Sequence, residues 1–202
     1  MELSALMEAQ RNYYRTGATR SLAFRELMLD SLYRKIREME PEIHAALQAD
    51  LGKSAFESYM CETGLTLSEI SYMKTHLRDF AAKKRVRTPI AQFPSRSYVL
   101  KEPYGCVLIM SPWNYPFMLT LEPLADAIAA GNTVILKPSA YSPATSAVIK
   151  KLIAAVFPEE YVAVIEGGRA ENQSLLEQKF DYIFFTGGTT VGKLVLQKAA
   201  EH

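Results

Sequence analysis

The stretch "GCVLIMSPWNYPFMLT" (residues 105–120) joins a solidly apolar run to a loop stiffened by two prolines. Cys106–Met110 reads as a buried strand, because a short apolar run bounded by turn residues has that signature. Ser111 ends it, and Pro112 and Pro116 then bracket Trp113, Asn114 and Tyr115. The same rhythm recurs downstream. Candidate strands at 105–110, 133–137, 162–165 and 182–186 alternate with candidate helices at about 118–130, 143–156 and 171–179. A last helix is expected from near Thr190 and still running at the terminal "KLVLQKAAEH". Apolar strands separated by amphipathic helices predict an α/β fold with a parallel sheet covered on both faces and right-handed crossovers.

Upstream the period changes. Phe24, Met28, Leu32, Ile36 and Met39 make one helical stripe, with Glu26, Asp30, Arg34 and Arg37 opposite. A new helix is expected to start at Pro41 and to stop near Gly52. "SAFESYMCETGLTLSEISYMKTHLRDFAA" reads as a long, mostly buried helix or helix pair. Between the halves, 85–87 and 97–101 alternate around Pro89 and Pro94, the pattern of a protruding β-ribbon. A free ribbon edge is a natural dimer contact. The division expected is therefore 1–84 helical, 85–102 ribbon and 103–202 sheet.

The totals exclude several classes. Among 202 residues the net charge is +1, so no overall field favours nucleic acid or an anionic membrane. No run approaches the roughly 18 apolar residues of a membrane helix, and the charged N-terminus lacks a signal-peptide core. Cys61 and Cys106 have no metal-ligand spacing and imply no disulfide framework, so a reducing cytoplasm is the default compartment.

Ligands of open parallel sheets sit outside the carboxyl ends of the strands. That rule selects 111–116, 137–140, 166–168 and 186–189, which should open onto one crevice. Lys137 reads either as a solvated strand-end lysine or as a donor to ribose hydroxyls or a phosphate. "FFTGGTTVGK" joins a strand to a helix, where backbone N–H groups favour an anion. Its spacing is neither the dinucleotide fingerprint nor a P-loop, so a simple tight turn remains the alternative. Asn114 reads either as an oxyanion donor or as the cap of the following helix. Trp113 and Tyr115 supply bulk for an apolar pocket wall.

Taken together, "PWNYP", "LEPLADAIAAGNTVILKPS" and "FTGGTTVGK" resemble the aldehyde dehydrogenase superfamily in order and approximate spacing. "SPATS" and the Trp-Asn-Tyr-Pro form are most similar to its class 3 branch, which acts on fatty and aromatic aldehydes. The resemblance implies a Rossmann-like cofactor domain with a dimerisation ribbon. It implies Asn114 as the side-chain half of an oxyanion hole, with Tyr115 and Trp113 lining the aldehyde channel. It also implies a nicotinamide cofactor, NAD or NADP, held by Lys137, Ser139, Gly167 and the turn of Thr186, Gly187, Gly188, Thr189, Val191 and Gly192. NAD-preferring members commonly carry an acid three places after the lysine; here that residue is Ala140.

The family's nucleophilic cysteine, and the glutamate that serves as base, lie downstream of the glycine turn. The resemblance therefore implies an N-terminal fragment, inactive alone. Cys106 should be buried and inert, and Cys61 should lie away from the strand ends. Glu122 reads as an early-helix acid favoured by the dipole, and Glu166 has no assigned role. Two other readings compete: a non-catalytic short form that binds dinucleotide or a partner, and an acyl-phosphate reductase of related fold.

Overall fold

The computed structural model describes residues 2–202. The chain opens with α1 (Leu3–Arg15) and α2 (Leu22–Leu51). There follow α3 (Ala55–Ser58), a π-helical turn at Tyr59–Thr63, and α4 (Gly64–Ala81). The Ser21 hydroxyl accepts from the Phe24 N–H to start α2, and left-handed Gly52 ends it.

The expected restart at Pro41 does not occur: Pro41 lies inside one continuous helix of 30 residues. A proline there removes one backbone bond. Pro41 is on the exposed face, where water can meet the carbonyl so freed. Ile36, Met39, Ile43 and Leu47, on either side of it, are buried in one core that keeps the helix continuous. The segment from α3 to α4 is less buried than expected, since Phe56, Met60, Leu65, Tyr72 and Phe80 are exposed.

A ribbon of β1 (Lys84–Val86) and β2 (Ser97–Val99) follows, pairing antiparallel with Arg85 opposite Tyr98. Then come β3 (Cys106–Met110), α5 (Met118–Ala130), β4 (Thr133–Lys137) and α6 (Pro143–Val156). The chain continues through β5 (Val162–Val164), α7 (Arg169–Leu176), β6 (Tyr182–Phe185) and α8 (Thr189–Ala199). The last helix closes at Ala199 rather than running to the end of the chain.

The sheet is wholly parallel, in the order β5-β4-β3-β6. Alternate side chains enter two cores, as the period of two requires. Val107, Ile109, Val134, Leu136 and Val162 pack with α2, α4, α5 and α6. Cys106, Leu108, Met110, Ile135 and Ala163 pack with α1, α7 and α8. Both faces of β3 and β4 are therefore dry, which explains their unbroken apolar runs. Gln10, fully buried on α1, donates to the Val134 carbonyl at 2.9 Å and ties that helix to the sheet. Arg25, from α2, donates to the Ala129 carbonyl at 3.1 Å and closes the last turn of α5.

Three carboxylates crowd where α4 faces α5. Loss of hydration, then Glu69 and Glu122, push Asp126 up to about 7 from 3.8. Glu122, read from the sequence as an early-helix acid, lies beyond the first turn of α5, and loss of hydration and then Glu69 raise its carboxyl. A carboxyl whose folded pKa is raised contributes stability that is lost as pH climbs through that pKa. Asp126→Asn should therefore be no more stable than the parent below about pH 4. Its advantage should grow to about pH 7 and then level off, read as Tm against pH.

Candidate functional site

The four strand ends are level. Met110 lies opposite both Lys137 and Phe185, and Leu136 opposite Val164. The backbone carries this alignment into the loops. The N–H of Ser111 donates to the Lys137 carbonyl (3.3 Å), that of Thr186 to the Met110 carbonyl (3.0 Å), and that of Ile165 to the Leu136 carbonyl (2.9 Å). All four loops selected from the sequence thus leave one rim. β3 is flanked by β4 on one side and by β6 on the other, so the direction of sheet growth reverses between β3 and β6. A switch point of this kind opens a crevice. Its two walls are the Asn114 loop and the glycine turn.

Each helix that starts on this rim presents unpaired N–H groups. Carboxylates occupy three of the four starts. Glu62 accepts from the N–H groups of Phe117 (2.9 Å) and Met118 (3.0 Å) at α5. Asp50 accepts from those of Ala144 (3.1 Å) and Thr145 (2.7 Å) at α6. Glu171 accepts from the Gly168 N–H (2.6 Å) at α7, and its own backbone N–H, then that of Gly168, hold its carboxyl below the usual range. At α8 there is no side-chain cap and no acid in the first turn. Among the described residues, that start is the one of the four open to an exogenous anion.

Lys137 is not the solvated lysine of the bland alternative. It is 3% exposed, and its ammonium donates to the carbonyls of Pro138 and Gly167, each at 2.7 Å. Burial lowers its pKa, while Glu171 and Glu166 work in the opposite direction. Gly167 reaches it through a backbone at φ +130°, a conformation glycine tolerates. An ammonium has three donors, so one N–H is left without a protein acceptor among the described residues. Ser139 is half-buried beside this group and its hydroxyl accepts from the Tyr141 N–H. Lys137, Ser139 and Gly167 therefore cluster on the β4–β5 side of the rim. Thr186, Gly187, Gly188, Thr189, Val191 and Gly192 lie beyond β3, on the β6 side.

Asn114 does not cap α5, because Glu62 fills that role from 55 residues away. Asn114 is exposed, and its backbone carbonyl, not its side chain, is bonded: Lys53 donates to it at 3.0 Å. The same ammonium pairs with Glu62 at 2.5 Å and lies 4.1 Å from the centroid of the Tyr115 ring. Trp113 is 53% exposed on the same loop.

Lys53 and Glu62 were not legible as site residues. Lys53 follows a helix stop and reads as solvent-facing, and Glu62 sits in mid-helix. One signal pointed to such a partner: Phe117, at the N-cap of α5, carries no side-chain acceptor for the helix's first N–H groups.

Cys61 is also closer than expected. It belongs to the π turn whose Glu62 binds the start of α5, so this turn packs on the Asn114 loop and not away from the strand ends. Cys106 is buried, which pushes its thiol up to about 11. Glu166 pairs with Lys150 at 2.8 Å. Among the described residues, no group of three or more His, Cys, Asp or Glu is placed to hold a metal, and no helix is long and apolar enough to cross a membrane.

Level strand ends and a switch point between β3 and β6 define a parallel, doubly wound α/β fold. Residues 2–202 match the Aldehyde dehydrogenase family, and the chain belongs to it. It is 47% identical over 190 residues to 4,4'-diaponeurosporen-aldehyde dehydrogenase of Staphylococcus aureus, covering 94% of this chain and 41% of that protein. It is 41% identical over 192 residues to aldehyde dehydrogenase family 3 member A2 of Mus musculus, covering 95% and 40% respectively. The substrate-bound structure of Staphylococcus aureus AldH superposes with a TM-score of 0.97 at 44% identity, over 100% of this chain and 44% of that one. Betaine aldehyde dehydrogenase of Staphylococcus aureus in complex with NAD+ gives 0.84 at 26% identity, over 97% and 39%. The chain spans about 40% of the length of the curated relatives it matches.

The glycines of the turn differ in why they are glycines. A Cβ on Gly187 would lie 2.6 Å from the tip of the Phe185 ring, whereas one on Gly188 would meet nothing within 4 Å. Gly187→Ala should cost about 1–3 kcal/mol, the usual range for overpacking, and Phe185→Leu should restore most of it. Gly188→Ala should stay within about 0.5 kcal/mol of the parent in urea or thermal unfolding.

Proposed function

We propose that this chain is the N-terminal, cofactor-holding part of an NAD(P)-dependent enzyme that oxidises fatty or aromatic aldehydes. The thiol nucleophile and the general base would lie in the part of the relatives' length that the chain does not span, and the chain alone would not turn over. The open start of α8 at the switch point is the observation that carries this reading. It suits a pyrophosphate, and Gly188 leaves its backbone clear for a close approach. Lys137, with Ser139 and Gly167 beside it, would take the adenosine ribose through its remaining N–H. Thr186, Gly187, Thr189, Val191 and Gly192 would flank the dinucleotide. When bound, NAD(P) supplies the hydride acceptor.

The chain's own contribution to chemistry is Asn114. Its amide N–H would donate to the aldehyde oxygen as negative charge gathers there, with Trp113 and Tyr115 walling an apolar substrate. Cys106 is unsuited to be the nucleophile, since a buried thiol titrating at about 11 is a poor source of thiolate. The ribbon at 85–102 exposes Ile90, Phe93, Tyr98 and Val99, which supports its use as a contact with a second copy. Two free cysteines are in keeping with a cytoplasmic home.

The decisive experiment measures dinucleotide binding and NAD(P)H formation on this chain. It should bind NAD weakly and form no NADH with an aromatic or a medium-chain aldehyde. Gly188→Ala should weaken binding about tenfold or more at unchanged Tm; Lys137→Met should weaken it as much and also lower Tm, because the carbonyls of Pro138 and Gly167 lose their donor. Binding indifferent to both variants would refute the assigned site, and NADH formation would refute dependence on a further segment.

Ala140 is exposed and brings no carboxylate to repel a 2′-phosphate. NADP should therefore bind within about tenfold of NAD, and Ala140→Glu should restore a preference for NAD. A strong preference for NAD in the parent, read from the two dissociation constants, would contradict this.

A further inference from the structure

Lys53 and Glu62 are not among the groups assigned to the aldehyde or the dinucleotide, yet both are spent on the loop that carries Asn114. Their side chains are 9% and 0% exposed, so neither gains from water. A buried ion pair is retained at the cost of desolvation, and replacement by apolar residues is often neutral or stabilising. Here every contact has a direction. The Lys53 ammonium binds Glu62 and the Asn114 carbonyl, and it underlies the Tyr115 ring. The other oxygen of Glu62 binds the N–H groups of Phe117 and Met118. The pair therefore pins residues 114, 115, 117 and 118, on both sides of Pro116.

Glu62 sits in the π-helical turn Tyr59–Thr63. Such turns are rare in helices and are found often at functional sites. The Ser111 hydroxyl bonds to that of Thr120 at 2.5 Å, and the Thr120 hydroxyl donates to the Pro116 carbonyl at 2.6 Å, closing the loop from the sheet side. The Asn114 side chain is exposed, and among the described residues its amide takes no protein partner.

We propose that Lys53 and Glu62 are positioning residues that aim the Asn114 amide at the aldehyde oxygen. This rests on the reading of Asn114 as oxyanion donor given above. Such a donor works only when it is aimed before reaction, and a shift of about 1 Å can cost about a hundredfold in rate.

The test compares Asn114→Ala, Lys53→Met and their combination in the complete enzyme of which the proposed function makes this chain a part. Asn114→Ala should lower kcat about 10²- to 10³-fold, the usual loss for one oxyanion donor. Lys53→Met should lower kcat at least about tenfold with NAD affinity unchanged, and the double variant should fall no lower than Asn114→Ala alone. Lys53→Arg, which keeps the charge, should recover part of the rate.

Trp113 is the only tryptophan of this chain and adjoins Asn114, so Lys53→Met made in this chain should also shift its emission and raise its quenching by acrylamide. Should Lys53→Met fail to fold, Lys53→Met/Glu62→Gln removes both charges together. A folded double variant with low kcat supports the proposal, and one with full kcat overturns it. Full kcat in Lys53→Met beside a damaged Asn114→Ala, or losses that simply add, also overturns it. An Asn114→Ala enzyme with full kcat removes the functional reading beneath it.

Discussion

A buried carboxylate is costly unless its oxygens are met, and Glu62 meets them with one ammonium and two backbone N–H groups. That arrangement joins three parts of the chain distant in sequence: the end of α2 through Lys53, the π turn, and the start of α5. The crevice depends on it. Without a partner for Phe117 and Met118, α5 would begin with unmet donors, and the loop that walls the switch point would lose its floor. The helical N-terminal half is therefore more than a cover for the sheet. It supplies the acid that caps α5 and, through Asp50, the acid that caps α6.

These caps shape the electrostatics of the rim. Four helices begin there, and a bare helix start attracts anions. Glu62, Asp50 and Glu171 take up three of these starts with the protein's own carboxylates. The start of α8, beside the Asn114 loop, has no such acid. Lys137 lies on the β4–β5 side of the rim, where Gly167 folds back to accept from it. The rim thus has polarity: an ammonium at one side, an open helix start across β3, and an amide-bearing loop next to that start.

Much of the frame was legible in the sequence. The parallel sheet follows from "CVLIM" and from the "VIL" within "TVILK", apolar runs that suit strands dry on both faces. Helices at 118–130 and 143–156 emerge with those bounds, because their periods are clean and glycine or proline marks their ends. Legibility failed where long-range contacts decide. Pro41 looked like a start because proline favours first turns, but burial of Ile36, Met39, Ile43 and Leu47 in one core carries the helix past it. Lys53 and Glu62 have no local pattern, since apart from each other their partners lie more than fifty residues away. The strand-end rule could find the loops, but not what braces them from behind.

The central claim is that the α8 start, and not its neighbours on the rim, receives the dinucleotide. Backbone hydrogen exchange with and without saturating NAD tests it most directly. The account predicts slower exchange at Thr189 and Thr190, with little change at Phe117, Met118, Ala144 and Thr145, whose N–H groups are already bonded to carboxylates. Slowing at the starts of α5 or α6, with none at α8, would contradict it.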